Sequence, residues 1–180
     1  MEYQKIKLAS ETITIKDAEP SEIEGLIPIY KENFPRHNVF QKLDEEILEY
    51  LLQKHNENIQ FGGGFIVART NKKVVGGMLL RKESEDLTGS HVIWKYNHVA
   101  VDDSYEGKGI GSALLKAADE KIRKLIKEKK FGTAKIELGV AENDKEALEF
   151  YKKNDFKEEG RLKSHYRFEE MIIVCGKEIS

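Results

Sequence analysis

Near the middle of the chain an apolar stretch, Val99-Ala100-Val101, runs into Asp102-Asp103-Ser104-Tyr105 and then into Gly107, Gly109 and Gly111. Apolar residues then recur at helical spacing through Ile110, Leu114, Leu115, Ala118, Ile122 and Leu125. A strand, a glycine loop and a long amphipathic helix, in that order, restrict the fold more than any other segment. Glycine supplies backbone conformations that other residues resist. The first amides of the helix have no intrahelical acceptor, and the helix dipole is positive at that end. The segment therefore suits an anion, with the Lys108 ammonium beside it. An ordinary strand-to-helix turn would use glycine in the same way. A Walker loop is excluded because Gly109, rather than Ser or Thr, follows Lys108. A dinucleotide-binding unit is excluded because Ser112 and Leu114 stand where its third glycine would fall, after antiparallel strands.

Upstream, Phe65-Ile66-Val67-Ala68 and the apolar run from Val74 to Leu80 flank Asn71-Lys72 as a hairpin. A further strand over 91–101 extends it to a meander. Residues 12–15 alternate as a strand. Pro20 opens a helix bearing Ile23, Leu26, Ile27, Tyr30 and Phe34, which Pro28 kinks or splits. Asp44 is a candidate cap for a second helix, with Ile47, Leu48, Leu51 and Leu52 on one face. Downstream come a strand over 134–140, a helix over 144–153 with Ala147, Leu148 and Tyr151 on one face, and a closing strand over 164–175 through Tyr166 and Phe168. This order predicts an α/β (α+β) protein, a mixed sheet flanked by helices. At 180 residues, a single domain over 1–180 is expected, with its core at 11–175.

Composition narrows the function classes. Thirty Lys and Arg against 32 Asp and Glu leave a net charge of -2, without the basic excess of a nucleic-acid binder. No apolar run reaches the roughly 20 residues of a membrane span. The first ten residues lack the apolar core of a signal peptide, so a cytoplasmic location is expected. One cysteine, Cys175, rules out a disulfide framework and a multi-cysteine metal site. The five histidines form no pair at ligand spacing, so no metal is expected.

The spacing Glu106-x-x-Gly109-x-Gly111 after Val99-Ala100-Val101 resembles the first motif of the GNAT superfamily of acetyl-CoA-dependent N-acetyltransferases, with Glu106 in the place of a usual Gln or Arg. A second stretch is similar to the family's next motif: Leu138-Gly139-Val140, Asp144, Ala147, Phe150-Tyr151 and Asp155-Phe156. Here Asp144 replaces Asn and Asp155 replaces Gly. The resemblance covers residues 11–175. It implies a GNAT-type fold, a mixed and mostly antiparallel sheet of about seven strands flanked by about four helices. It also implies acetyl transfer from acetyl-CoA to a primary amine: a protein N-terminal or lysine amine, a polyamine or another small amine.

The same resemblance assigns roles. Val99, Ala100 and Val101 would bond the pantetheine arm through their backbone, and Gly107, Lys108, Gly109, Ile110, Gly111 and Ser112 would hold the pyrophosphate. Either Asn143 or Asp144 would cap the following helix and contact the cofactor. Tyr151 would be the general acid, its phenol pKa of about 10 lying near the value of about 8.5 for a thiol. Strand alternation turns Glu137 away from the face of Leu138 and Val140, making it the candidate general base through water. Asn97 and His98 on the preceding strand are alternatives. Loops 34–40 and 161–166, with His37 and Tyr166, would flank the acceptor. Acetyl-CoA and an amine are the expected partners of a monomer or homodimer. A non-catalytic acyl-CoA sensor would keep the glycine loop without needing Tyr151, and a plain interaction domain would need neither.

Overall fold

Continuous burial over residues 64–68 and 75–80, period-two burial over 91–96 and 133–140, and neither at the two margins set the architecture. The computed structural model describes residues 1–128, 131–165 and 170–180. Its strands are β1 (Glu2–Lys7), β2 (Thr12–Asp17), β3 (Gly64–Arg69), β4 (Val74–Glu85), β5 (His91–Val101), β6 (Thr133–Ala141), β7 (Lys157–Lys163) and β8 (Met171–Ile179). They lie in the order β1-β2-β3-β4-β5-β6-β8-β7. The helices are α1 (Pro20–Ile23), α2 (Ile27–Asn33), α3 (Asp44–Ile59), α4 (Ile110–Lys127) and α5 (Lys145–Lys153). Among the described residues no helix is long and apolar enough to cross a membrane. The chain divides into two compact units, Met1–Lys82 with Asn97–Lys121, and Glu83–Tyr96 with Ile122–Ser180.

In the first unit, β1 to β4 pair antiparallel in chain order. Pro28 does split the early helix, with a 3₁₀ turn over Glu24–Leu26 between α1 and α2. Ile23, Leu26, Ile27 and Tyr30 then meet Ile47 and Leu51 of α3 over Phe65, Val67, Leu79 and Ala100 of the sheet. Each buried Ile or Leu contributes about 1.5–3 kcal/mol by leaving water. Leu43, rather than Asp44, stands at the N-cap position of α3 without a side-chain cap, and the Glu46 carboxylate accepts the Leu43 N–H. Two carboxylates tie the unit together. Asp17 accepts from Lys121 Nζ at 2.6 Å, from the Tyr3 hydroxyl at 2.8 Å and from the terminal amine at 3.0 Å. Glu22 pairs with Arg69 at 2.8 Å and Lys16 at 3.2 Å. Burial raises both pKa values, but these donors outweigh it and hold both below the usual range.

The second unit pairs β5 parallel to β6 from His91↔Thr133 to Lys95↔Glu137, and β6 antiparallel to β8. β7 pairs only with β8. The sheet thus has eight strands rather than about seven. β1 lies upstream of the expected core at 11–175, and β7 is a second strand without apolar alternation. Both are margin strands rich in charge, as edges that resist pairing with other chains usually are. The closing strand runs to Ile179, and the expected contributions of Tyr166 and Phe168 lie outside the described residues.

Stability should follow the buried groups. Burial pushes His55, whose Nδ1 accepts the Phe65 N–H, and His98 below the ordinary histidine range. The unfolded chain therefore binds more protons as pH falls through about 6.5, and stability declines. Denaturant titrations should show a loss of up to about 1.4 kcal/mol per pH unit for each histidine below that point. Below about pH 4.5 the protonation of Asp17 and Glu22 should add to it. A flat stability between pH 7 and 5 would contradict this assignment.

Candidate active site

β5 ends at Val101, a 3₁₀ turn over Asp103–Tyr105 follows, and α4 begins at Ile110. The Asp102 carboxylate caps that turn by accepting the Ser104 N–H at 3.1 Å, and Lys73 holds the same carboxylate at 2.7 Å. Gly107 and Gly109 have φ of +68° and +78°, where a side chain would be strained. A Cβ at either would meet nothing within 4 Å, so the backbone is open to a ligand. The first bond of α4 runs from the Ala113 N–H to the Gly109 carbonyl at 3.0 Å. The amides of Ile110, Gly111 and Ser112 are therefore left without intrahelical acceptors. Lys108 is exposed, donates to the Ser104 carbonyl and lies 4.6 Å from the Tyr105 ring centre. Residues 107–112 thus fit an anionic phosphate group.

Just before this loop, Ala100 is buried and Val99 and Val101 are half-buried. The Val101 carbonyl accepts from Asn33 Nδ2 at 3.3 Å. His98, within β5, has a φ of +53°. Its ring lies within 5.1–6.3 Å of the rings of Tyr30, Phe34, His37, Phe40 and Tyr50. Burial, with His37 and Arg81 nearby, pushes the imidazole down to about 3. An α-amine of pKa about 8 would pass its proton to such a ring against a factor of about 10⁵, so His98 is a poor base. Asn97 Oδ1 and the Tyr30 hydroxyl are buried without a hydrogen-bond partner among the described residues. The ring cluster escaped sequence reading because its members come from α2, a loop, α3 and β5.

In the second unit, the burial pattern of β6 sets Ile136, Leu138 and Val140 on one face and Lys135, Glu137 and Gly139 on the other. Glu137 is half-buried, between Lys95 of β5 and Gly176 of β8. Trp94 pairs with Ile136, and Tyr96 shares the Trp94 face of β5. Phe156 meets Tyr96 at 5.9 Å, and Tyr151 meets Phe156 at 5.6 Å. Tyr151 and Glu137 therefore serve opposite faces of β6. Burial, helped by Asp144 and Cys175, raises the Tyr151 phenol well above its ordinary value, so the expected match to a thiol is displaced upward. Asp144 caps α5 by accepting the Ala147 N–H at 3.0 Å, and Asn143 beside it is exposed. Of the acceptor loops, 34–40 contributes Phe34, His37 and Phe40 to the ring cluster, and Tyr166 lies outside the described residues.

A family model for an acetyltransferase (GNAT) domain matches residues 61–158. An N-alpha-acetyltransferase of Sulfurisphaera tokodaii is 26% identical over 171 residues, covering 92% of both chains. An uncharacterized N-acetyltransferase of Methanocaldococcus jannaschii is 25% identical over 164 residues, 89% of this chain and 68% of the relative. The yncA protein of Salmonella typhimurium, solved with its cofactor acetyl-CoA, superposes with a TM-score of 0.70 at 14% identity, over 93% of this chain and 94% of that one.

The cap assignment has its own test. Asp144→Ala should lower stability by about 1 kcal/mol in thermal or chemical unfolding, whereas Asn143→Ala should leave it unchanged. Equal effects from the two would show that the cap is shared.

Proposed function

This chain is an N-acetyltransferase of the GNAT acetyltransferase family, and from that premise we propose that its donor is acetyl-CoA and its acceptor a primary amine. The observation that carries the donor is the loop over residues 107–112, with two left-handed glycines, open space around them and a lysine at a helix start. On this reading Gly107, Lys108, Gly109, Ile110, Gly111 and Ser112 hold the pyrophosphate. The backbone of Val99, Ala100 and Val101 holds the pantetheine arm. Asp144 is committed to its cap, so Asn143 is the better candidate for a side-chain contact with the donor.

Acetyl-CoA supplies a thioester already activated for acyl transfer. The amine nitrogen forms a bond to the carbonyl carbon, the carbon–sulfur bond breaks, the nitrogen loses a proton and the thiolate gains one. Glu137 takes the first proton through water and Tyr151 supplies the second. Holding amine and thioester together contributes more than either, roughly 7–11 kcal/mol.

The α-amine of a protein N-terminus is the first acceptor to test, because the Sulfurisphaera relative is named for that chemistry. Such an amine, with a pKa of about 8, is roughly one-quarter neutral at pH 7.5, whereas a lysine is about one part in a thousand neutral. Acetyl-CoA should be incubated with an N-terminal peptide, a lysine peptide, a polyamine and an amino sugar, following thiol release. The N-terminal peptide should react fastest, and Gly109→Val should lose CoA affinity in calorimetry with its fold intact. Wild-type affinity in that variant would overturn the loop assignment. Tight CoA binding without turnover on any amine would favour an acyl-CoA sensor.

Tyr151→Phe keeps the ring and deletes the proton. Its kcat should fall about 10²–10⁴-fold with CoA affinity unchanged. Because burial holds the phenol protonated beyond the usual range, neither enzyme should show an alkaline limb due to this residue below about pH 10. Full kcat in the variant, with chemistry limiting, would make the phenol structural.

A further inference from the structure

The loop that the proposed function gives to the donor's phosphates is poor in formal positive charge. Between Val101 and Lys116, Lys108 is the one cation, against Asp102, Asp103 and Glu106. How that single ammonium is held therefore matters. A free lysine side chain loses much of its rotamer freedom when a ligand fixes it, and the loss weakens binding. A lysine already held in place avoids most of that loss.

Tyr105 provides the support. It is the last residue of the 3₁₀ turn, and its N–H donates to the Asp102 carbonyl at 2.7 Å. Its hydroxyl donates to Glu11 Oε1 at 2.9 Å, just before β2. That bond raises the phenol above its ordinary value, so the hydroxyl stays protonated and keeps donating near neutral pH. A hydroxyl that donates to a carboxylate also pushes electron density into its ring, which strengthens the attraction of a cation. Two ammoniums lie within reach of the ring: Lys108 Nζ at 4.6 Å and Lys73 Nζ at 5.4 Å from its centre. Lys73 is already paired with Asp102 at 2.7 Å. Lys108 has the ring on one hand and the Ser104 carbonyl, to which it donates, on the other. We propose that Tyr105 is a positioning residue: fixed by Glu11 and by the turn, its ring holds the Lys108 ammonium beside the glycine loop before the donor's phosphates arrive. The inference rests on the reading of residues 107–112 as the phosphate site.

The test asks whether the ring acts through Lys108. Affinity is measured by calorimetry in the full chain with two probes: acetyl-CoA, and the 3′-phosphoadenosine 5′-diphosphate half of CoA, which carries the phosphates. Tyr105→Phe keeps the ring and loses the Glu11 bond, whereas Tyr105→Leu loses the ring. Tyr105→Leu should weaken both probes about two- to fivefold, the range of an exposed cation–π contact, and Tyr105→Phe should weaken them less than about twofold. The same Leu substitution is then made in a Lys108→Ala background. There it should change neither affinity, because the side chain through which it acts is gone. If Tyr105→Leu does not fold, Tyr105→Met takes its place in both backgrounds. A loss of equal size with and without Lys108 would show that the ring meets the donor or props the loop by itself. A Phe variant as weak as the Leu variant would show that the Glu11 bond matters and the ring does not. No loss in the Leu variant would show that the ring is idle. Each of these overturns the proposal. A wild type that binds neither probe overturns the donor reading and this inference with it, whereas one that binds both, with no coupling between positions 105 and 108, overturns this inference alone.

Discussion

A strand cannot carry a regular ladder through a left-handed residue, and β5 has one at His98. Before it, residues 91–95 run in a parallel ladder with β6 that ends at Lys95↔Glu137. After it, the backbone goes from Val99 to Val101 and into the glycine loop, where Gly107 and Gly109 take up positive φ again. The two departures have different supports. At the loop, glycine removes the steric objection and nothing crowds the backbone. At His98 the residue is not glycine, and a ring cluster drawn from α2, α3 and the intervening loop provides the restraint.

The cost of that restraint falls on ionisable groups. Burying an imidazole among rings drives it neutral, and burying Asp17 and Glu22 requires donors for each carboxylate oxygen. The sequence provides them from distant positions: Lys121 for Asp17, and Arg69 with Lys16 for Glu22. Asp17 also recruits Tyr3, which brings β1 to the margin of the sheet despite its polar composition. A strand with little apolar surface of its own is thus kept in place by one half-buried carboxylate and a backbone ladder.

The elements that periodicity reveals are the ones with a wet side and a dry side. The β3–β4 hairpin was legible as two continuous apolar runs, buried on both faces, around a tight turn, α4 by the helical period of its apolar residues, and the split by Pro28 itself. β1 and β7 were not, since a margin strand carrying Glu-Tyr-Gln-Lys or Lys-Glu-Glu-Gly shows no such period. At the site, the glycine spacing and the α5 cap could be read locally. The φ of His98 could not, because histidine in a run of Asn97, Val99 and Ala100 looks like any strand residue. Its cause lies in Tyr30, Phe34, His37, Phe40 and Tyr50, which reach it only after the chain has folded.

Proton transfer to the leaving thiolate poses the remaining physical problem. A phenol lifted well above its ordinary value is a weaker acid than one in water, and a thiol with pKa about 8.5 in water would take its proton only uphill. The lift, however, comes first from burial, which disfavours any anion in the same surroundings. A thiolate forming beside the Tyr151 ring would be disfavoured for the same reason, and its proton affinity would rise with that of the phenol. On the proposed reading, matching depends on the surroundings that the two groups share rather than on either reference value. The contacts of Tyr151 with Phe156, and of Phe156 with Tyr96, line one side of such an environment with rings. A carboxylic acid in that position would be a stronger donor, but it would stand ionised at neutral pH unless burial raised it by several units. On the proposed reading, a tyrosine that arrives protonated suits a group whose task would be to give up a proton as the carbon–sulfur bond breaks.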